Sequence, residues 1–295
     1  MQFFEQDVFT NRQGRAMGIS DKQLRGRRFR QVCYGVHTAG DPSDLMVRVR
    51  AAIKAAGQSA LLGGVTELRM LGVWLPQSLA DDHLVHITVA PGQRGPRIKG
   101  IAVTRTAILL PPTDVGDVFA IHPAEAWFQM ATVLALDDLV VAADALMQRK
   151  APLVTKAELQ FVIDNSRRRR GLCRARAAVE LARPGVDSPM ETRLRLAMIA
   201  AGLPCPEVNL PLQPNKRSKT FSLDMAYPSA RLAVEYDGAI HVGDWQKMQD
   251  DRTRRRIIED AGWRIITVTY ADFADLTPAI ASIRTALRDR QPKLT

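Results

Sequence analysis

Alternating apolar and polar residues in the last third of the chain predict two neighbouring β-strands. In the segment 221–226 the apolar side chains Phe, Leu and Met share one face, which leaves Ser222, Asp224 and Ala226 on the other face. The run 231–234, Arg-Leu-Ala-Val, continues the pattern after a Pro-Ser-Ala turn. We therefore expect the two segments to pair as an antiparallel hairpin.

Acidic residues are concentrated where the second predicted strand ends. Glu235 and Asp237 are two residues apart there, and His241 follows. The hairpin pairing expected from the pattern puts Asp224 opposite Ala233 and diagonal to Glu235, at roughly 7–8 Å. Neighbouring carboxylates repel each other and burial increases the cost, so a divalent cation is the expected partner.

Each of these residues also has an ordinary structural interpretation. Asp224 could form an ion pair with a nearby arginine. The dipeptide Asp237-Gly238 is a common turn signal, and His241 could be a packed or capping histidine at the surface. The sequence alone leaves these alternatives open.

A further acidic residue lies at the start of a predicted helix. Ser188 has the chemistry of a helix cap, a proline follows it, and Glu191 comes three residues later. Leu194 and Met198 lie on the same helix face as Glu191, so that face is expected to pack inward. The Glu191 carboxylate either completes the capping box or points at the hairpin.

This order of residues, glutamate on a helix, aspartate on a strand and Glu-x-Asp on the next strand, resembles the PD-(D/E)xK nuclease superfamily. It is more closely similar to a bacterial domain family related to very-short-patch repair endonucleases. The similarity covers 187–295 and rests on 188–191, Asp224, 235–238, His241, 246–256 and 262–266. Asp237 stands where the superfamily usually has lysine, which leaves open whether the site is active.

The resemblance implies a metal-dependent DNA endonuclease with a mixed sheet flanked by helices. Its metal ligands would be Asp224, Glu235 and Glu191, which would bind Mg²⁺, or Mn²⁺ as an alternative, through oxygen atoms. The ion would lower the pKa of a bound water and offset charge on the phosphate. His241 would act as general base or contact the phosphate, and Asp237 would add a ligand or orient His241.

Charged residues interrupt an apolar stripe after the predicted site and predict a helix from Trp245 to Ala261, ended by Gly262. Arg252 and Arg256 share one face of this helix and are predicted to contact DNA phosphates. We also expect ion pairs four residues apart along it, namely Asp250 with Arg254 and Asp251 with Arg255. A strand over 263–269 and a final helix over 278–288 follow in the pattern.

The start of the chain predicts a winged helix-turn-helix over residues 1–40. Thr10 and Ser20 can cap two short helices, and 27–37 alternates like a single basic strand. This stretch resembles the antitoxin-type winged-helix domain of abortive-infection (AbiEi-like) proteins, which bind operator DNA. The arginines expected to face DNA are Arg25, Arg27, Arg28 and Arg30. The alternative is a small helical subdomain with a solvated basic rim.

The middle of the chain predicts an α/β region over 41–165 that continues the AbiEi-like similarity. Its predicted helices are 43–56, 66–71, 123–136, 137–148 and 155–163, and its predicted strands are 83–89 and 101–106. Asp137, Asp138 and Asp144 are expected to be exposed acids on a helix. An arginine-rich helix or linker follows over 166–186, where DNA-binding residues are predicted at Arg167, Arg168, Arg169 and Arg170.

Composition fits a DNA-binding protein of α/β (α+β) class. Lysine and arginine number 41 against 31 aspartates and glutamates, a formal net charge of +10 that favours a polyanionic partner. No signal peptide is evident, and no apolar run approaches the roughly 18 residues that span a bilayer. Three widely separated cysteines give neither zinc spacing nor a disulfide framework. We expect a cytoplasmic protein without a membrane partner.

Two functions therefore compete at this point. The first is a Mg²⁺-dependent DNA endonuclease in which the segment 187–295 cuts and the N-terminal module binds duplex DNA. The second is a non-catalytic DNA-binding regulator of the AbiEi antitoxin class, with a nuclease-like fold that has lost its chemistry. The presence of Glu191, Asp224 and Glu235 together favours the first.

Overall fold

The computed structural model of the chain describes residues 8–57, 59–214, 219–238 and 245–290, with only the backbone for 245–248. It combines helices with antiparallel and mixed sheets, which confirms the predicted α+β class. The chain divides into two compact units, unit 1 (Met1–Leu139 and Ala157–Ala177) and unit 2 (Val140–Lys156 and Ala178–Thr295). The predicted boundary at residue 187 lies inside unit 2.

Unit 1 contains two sheets. Their strands are β1 (Val8–Thr10), β2 (Arg30–Cys33), β3 (Val36–Thr38), β4 (Leu61–Leu62), β5 (Val85–Val89), β6 (Ile101–Arg105), β7 (Thr113–Val115) and β8 (Val118–Ala120). The strand orders are β1-β3-β2 and β6-β5-β4-β8-β7. The helices are α1 (Asn11–Ala16), α2 (Asp21–Leu24), α3 (Leu45–Ala56), α4 (Gly64–Met70), α5 (Gln77–Ala80) and α6 (Pro123–Met130).

Three helices contain residues of both units, and the remaining elements belong to unit 2. The three are α7 (Leu136–Leu146), α8 (Lys156–Asp164) and α9 (Leu172–Leu181). In unit 2 the helices are α10 (Pro189–Ala200), α11 (Trp245–Asp260) and α12 (Thr277–Arg290), and the strands are β9 (Glu207–Leu212), β10 (Phe221–Tyr227), β11 (Leu232–Asp237) and β12 (Arg264–Thr269).

The first two helices begin where capping chemistry predicts. Thr10 caps α1 and Ser20 caps α2, each in a capping box completed by the glutamine three residues later. The single strand predicted over 27–37 is wrong, because the chain reverses at Gly35 and pairs β2 with β3 as a hairpin. Gly35 has a φ of 75°, a left-handed conformation that glycine adopts without steric cost.

The sheet of unit 2 has the strand order β12-β11-β10-β9, in which β11 and β12 are parallel and the other neighbours antiparallel. Parallel neighbours need a crossover, and α11 provides it. Ile258 of α11 packs with Ala233 and Ile265 on one face of the sheet. Leu194 of α10 packs with Val234 on the other face.

The register of the predicted hairpin is wrong. Ala233 pairs with Ala226 rather than with Asp224, and Met225 pairs with Val234. One further step of this register puts Asp224 directly across from Glu235 instead of diagonal to it. The reason is that β10 continues to Tyr227 and β11 begins only at Leu232, so the connection of residues 228–231 lies one residue later in the chain than the predicted register requires.

The predicted facing of β10 is also wrong at one position. Leu223 packs in the cluster on the α11 side of the sheet, whereas Met225 packs in the cluster on the other side. The two therefore do not share a face, although they are two residues apart. The change of face occurs at Asp224. The pairs on either side of it, Leu223 with Leu210 and Met225 with Val208, set it across from Asn209 of the neighbouring strand β9, which has a left-handed φ of 48°.

Asp144 is buried, which corrects its assignment as an exposed helix acid. Its carboxylate accepts hydrogen bonds from the Arg195 guanidinium at 2.6 Å, the Thr192 hydroxyl at 2.9 Å and the Arg183 backbone N–H at 2.7 Å. A buried carboxylate requires such partners. Two of them lie on α10, about 50 residues away in sequence, so local spacing in α7 could not indicate them.

Among the described residues, the three cysteines are free thiols. No helix in the described ranges combines the length and the apolar character that crossing a bilayer requires.

Candidate functional site

An open pocket of about 360 Å³ lies where β10, β11 and α11 meet in unit 2. Its acidic lining residues are Asp224, Glu235, Asp237 and Asp251, and its basic lining residues are Arg252, Arg254 and Arg255. The pocket therefore gathers carboxylates from two strands and one helix beside a row of guanidinium groups. Three of the predicted catalytic residues and one predicted DNA-binding arginine contribute to it.

Asp224 has the most perturbed environment of the predicted site residues. Burial, followed by the negative charges of Glu191 and Glu235, raises the pKa of Asp224 to about 7. A hydrogen bond from the Tyr236 N–H to Asp224 Oδ2 at 3.2 Å and the charge of Arg254 oppose this rise. Near neutral pH this carboxyl group is therefore divided between its protonated and ionised forms.

Glu235 is held by an arginine from the helix that crosses over it. Arg254 Nη1 donates to Oε2 at 2.9 Å and Nη2 donates to Oε1 at 2.6 Å, a bidentate pair. Arg254 lies one helical turn before the buried Ile258, which packs against Ala233, two residues before Glu235. The same helix face therefore brings the guanidinium to the carboxylate.

The two ion pairs predicted within α11, Asp250 with Arg254 and Asp251 with Arg255, are wrong. Arg254 bonds Glu235 on the sheet and not Asp250, because its helix face is turned toward the strands. Arg255 bonds Glu259 at 3.0 Å rather than Asp251. The alternative in which Asp224 has an arginine of its own is also not realised, since the bidentate arginine is directed at the neighbouring acid.

Glu191 approaches the same region from the other face of the sheet. It is 8% exposed, one turn before the buried Leu194 of α10, as its helix face predicts. Ser188 Oγ accepts from the Glu191 N–H, but Glu191 Oε2 accepts from the Asp187 N–H at 3.2 Å, so no reciprocal capping box forms. Burial raises the pKa of Glu191, and its charge acts on Asp224.

The other predicted catalytic residues have different outcomes. Asp237 is exposed at the end of β11 and lines the pocket. His241 lies outside the described residues. Glu191 and Glu235 are thus each close enough to Asp224 to influence it electrostatically. Even so, within the described ranges no group of three or more His, Cys, Asp or Glu side chains is arranged to hold a metal ion.

The predicted DNA-binding arginines divide into accessible and engaged side chains. Nine of the ten are exposed, namely Arg25, Arg27, Arg28, Arg30, Arg167, Arg168, Arg170, Arg256 and the pocket residue Arg252. Arg169 is half-buried, with its guanidinium 4.4 Å from the ring centre of Phe128 and a 2.9 Å bond to Ser166 Oγ. Arg169 is therefore engaged within the fold, and its contact with DNA stays a prediction.

Sequence reasoning missed Arg254 and Asp251 as residues of the pocket. The available signal was the four-residue spacing between Arg254 and Ile258, since a charged residue one turn from a buried position faces the sheet. Its partner could not be found that way, because the contact with Glu235 depends on the packing of α11 against β11.

Comparison with known proteins gives relatives in Mycobacterium tuberculosis. The chain is 28% identical over 253 residues to the uncharacterized protein MT2308 of strain CDC 1551 / Oshkosh and to the uncharacterized protein Rv2248 of strain ATCC 25618 / H37Rv, covering 85% of this chain and 89% of each relative. A crystal structure of the RV2827C protein from the same species superimposes with a TM-score of 0.42 and 19% identity, covering 64% of this chain and 75% of that one. No family model matches the chain.

Proposed function

We propose that the protein is a Mg²⁺-dependent DNA endonuclease that hydrolyses phosphodiester bonds at the pocket of unit 2. The observation that carries this proposal is Asp224, a carboxyl group whose pKa is raised to about 7 by burial and by two acidic neighbours, Glu191 and Glu235, beside an open pocket. Perturbed carboxyl groups in clefts are typical of functional sites. A cation bound there would stabilise the ionised form of all three groups.

The residues present fit a hard divalent cation. Carboxylate oxygens are the donors that Mg²⁺ takes in proteins, and Asp224 and Glu235 offer them across adjacent strands. Both oxygens of Glu235 accept from Arg254, yet each carboxylate oxygen has a second lone pair. When bound, Mg²⁺ would supply positive charge against the phosphate under attack, and Mn²⁺ is an alternative ion.

The chain's own residues have distinct roles in this proposal. Asp224 and Glu235 would hold the cation, and Asp224 would have to be ionised to do so, because a ligand must be deprotonated. Glu191 keeps Asp224 basic through its charge. Arg252 contributes a guanidinium at the pocket for a phosphate oxygen. Roles for Asp237 as a further ligand and for His241 as general base remain predictions of the resemblance.

DNA delivery is assigned to the basic residues of the N-terminal hairpin and helices. Arg25, Arg27, Arg28 and Arg30 are exposed within a stretch of six residues, where a duplex can reach them, although Arg28 also lies 5.3 Å from the Phe29 ring centre and Arg30 donates to the Gly40 carbonyl. The exposed arginines of the 167–170 block are further candidates in unit 1. We place the activity in the cytoplasm, where a DNA substrate would be met.

The test is a cleavage assay on supercoiled plasmid with Mg²⁺, with Mn²⁺ and with EDTA. Cleavage that requires the ion and is lost in Asp224→Asn and Glu235→Gln supports the proposal. Glu259→Gln is the matched control, because it removes an exposed carboxylate of α11 that bonds Arg255 and does not line the pocket. Equal cleavage by wild type and Asp224→Asn would contradict the proposal.

The second candidate is a non-catalytic DNA-binding regulator of the AbiEi antitoxin class. The bidentate pair of Arg254 and Glu235 favours it, because an internal cation already neutralises one of the expected metal ligands. This function predicts operator binding in EDTA as strong as in Mg²⁺. It also predicts no cutting of duplex, branched, mismatched or single-stranded DNA.

A further inference from the structure

Arg254 makes three hydrogen bonds that place its charge among carboxylates. Two go to the oxygens of Glu235, and a third runs from Nη2 to the Ser222 carbonyl at 2.8 Å. The charges of Asp224 and Asp251 also act on the guanidinium. A single positive group thus occupies the position in the pocket that faces three acids.

This arginine is not required to fasten the helix to the sheet. Ile258, Ala233 and Ile265 already join α11 to the strands through buried apolar contacts. The side chains of Arg254 and Glu235 are 29% and 16% exposed, so solvent and a dissolved ion can reach the pair. The apolar contacts can hold α11 on the sheet while the guanidinium changes partners.

We propose that Arg254 is an internal cation that competes with a divalent metal ion for Glu235 and, once displaced, binds a phosphate of the nucleic acid. The inference rests on the proposed function, since it assumes that the pocket accepts a metal. Metal and arginine use the same two oxygens of Glu235 and their positive charges repel each other at that distance, so each lowers the other's occupancy. Phosphate binding to the released guanidinium then favours the metal-bound form.

The chemistry of the guanidinium explains why a phosphate is its second partner. Arginine presents a planar fork of N–H donors that matches a carboxylate and a phosphate equally well in geometry. Arg252 and Arg255 line the same pocket, which makes its rim attractive to an anion. The pocket is open and the Arg254 side chain is 29% exposed, so a phosphate has access to the guanidinium.

The test measures Mn²⁺ binding by calorimetry without DNA, in wild type, Arg254→Gln, Arg254→Lys and Arg255→Gln. Removal of the competing charge in Arg254→Gln should tighten Mn²⁺ binding by about tenfold, within the usual range of coupled sites. Arg254→Lys keeps the charge and should bind close to wild type. Arg255→Gln removes a neighbouring charge that is paired with Glu259, and should change affinity by no more than about twofold.

A second measurement follows the displaced side chain in the wild-type protein. Mn²⁺ is replaced by diamagnetic Mg²⁺, and the Nε–Hε resonance of Arg254 is observed by NMR. The resonance should shift on Mg²⁺ addition and again when a short duplex is added with Ca²⁺ in place of Mg²⁺. A third readout is duplex affinity in Ca²⁺, which should fall about tenfold in Arg254→Gln and stay unchanged in EDTA.

The outcomes separate this inference from the proposed function. Unchanged or weaker Mn²⁺ binding in Arg254→Gln overturns the inference, while metal-dependent cleavage by wild type would still support the endonuclease. If neither wild type nor Arg254→Gln binds Mn²⁺ at millimolar concentration, both are overturned. An Arg254 resonance that is insensitive to Mg²⁺, in a protein that calorimetry shows to bind it, also overturns the inference.

Discussion

Each unit contains a buried carboxyl group with acidic neighbours, Glu67 in unit 1 and Asp224 in unit 2, and the surroundings of the two groups differ. In unit 1, Glu67 of α4 is completely buried, and its pKa is raised well above the ordinary value by burial and by Glu125 of α6. In unit 2, burial and two acidic neighbours raise the pKa of Asp224. A raised pKa by itself therefore does not distinguish a functional group from a structural one.

Glu67 and Asp224 differ in their access to solvent and in whether a cation lies nearby. Within the described residues, neither carboxyl oxygen of Glu67 has a hydrogen-bond partner, and Glu125 is committed to the backbone N–H groups of Leu109 and Leu110. Asp224 instead lines an open pocket with Arg254 nearby. A group that solvent and a cation can reach can change its protonation and its ligands, whereas a sealed group stays neutral.

The largest expected effect is a difference in cleavage activity between substitutions at Asp224 and at Glu67. Asp224→Asn should lower metal-dependent plasmid cleavage at least about 10³-fold, because a metal ion supplies several kcal/mol of transition-state stabilisation. Glu67→Gln should cleave at the wild-type rate, since Glu67 is remote from solvent and already neutral. Initial rates of plasmid nicking measure both, and a slow Glu67→Gln enzyme with wild-type stability would refute the comparison.

The next effect concerns a buried acid that does have a partner. Arg195→Met would leave Asp144 buried without the cation that compensates its charge. We expect the free energy of unfolding to fall by about 3–5 kcal/mol. Urea denaturation followed by circular dichroism measures the change.

The matched control for that experiment is Arg149→Met, which breaks the partly exposed pair with Asp187. Its cost should stay below about 1 kcal/mol, because exposed pairs contribute little. Equal losses in the two variants would mean that burial does not set the strength of these pairs.

The pH dependence of stability should identify Asp224. Because its folded-state pKa of about 7 lies above the ordinary 3.8, the folded state holds this proton more tightly than the unfolded state. Its stabilising contribution is complete below about pH 4 and is lost as the pH rises to 7, by at most about 4 kcal/mol. In EDTA, Asp224→Asn should remove this part of the decline between pH 4 and 7. If the variant kept the wild-type dependence of unfolding free energy on pH, the decline would have to come from other groups.

The smallest effect is expected for Glu67→Gln at acidic pH. At about pH 4 the carboxyl group is largely protonated in both the folded and the unfolded state, and a neutral amide of similar shape replaces it, so the unfolding free energy should change by no more than about 1 kcal/mol. As the pH rises above the ordinary value of 4.5 the variant should gain on wild type, because wild type loses a proton on unfolding and the variant does not. Urea denaturation at pH 4 and pH 7 tests both statements. A variant that is less stable than wild type at pH 7 by several kcal/mol would contradict the raised pKa of Glu67.

Much of the fold near the site followed from local chemistry. Serine and threonine caps marked the starts of α1, α2 and α10, and Gly262, with a φ of 85°, ended α11. Apolar alternation located β10, β11 and β12 within a few residues. These features depend on neighbours within one turn or one strand, so a single sequence contains the information.

The errors arose where a long-range contact was decisive. The hairpin register depended on how far β10 extends before its turn, and Leu223 and Met225 pack in clusters on opposite faces of the sheet. Arg169 resembled its neighbours in sequence, yet it is half-buried beside Phe128 whereas they are exposed. In each case the local sequence indicated one set of contacts, and tertiary packing produced a different set.

The sequence by itself determined which chemical groups are present and along which element each one lies, including the order Glu191, Asp224, Glu235. The tertiary structure decided their partners: Arg254 for Glu235, Arg195 for Asp144, and two flanking acids for Asp224. The reason is physical. Side-chain periodicity is a local property of the backbone, whereas the strength and sign of an electrostatic interaction depend on distance and burial, which exist only once helices have packed against the sheet.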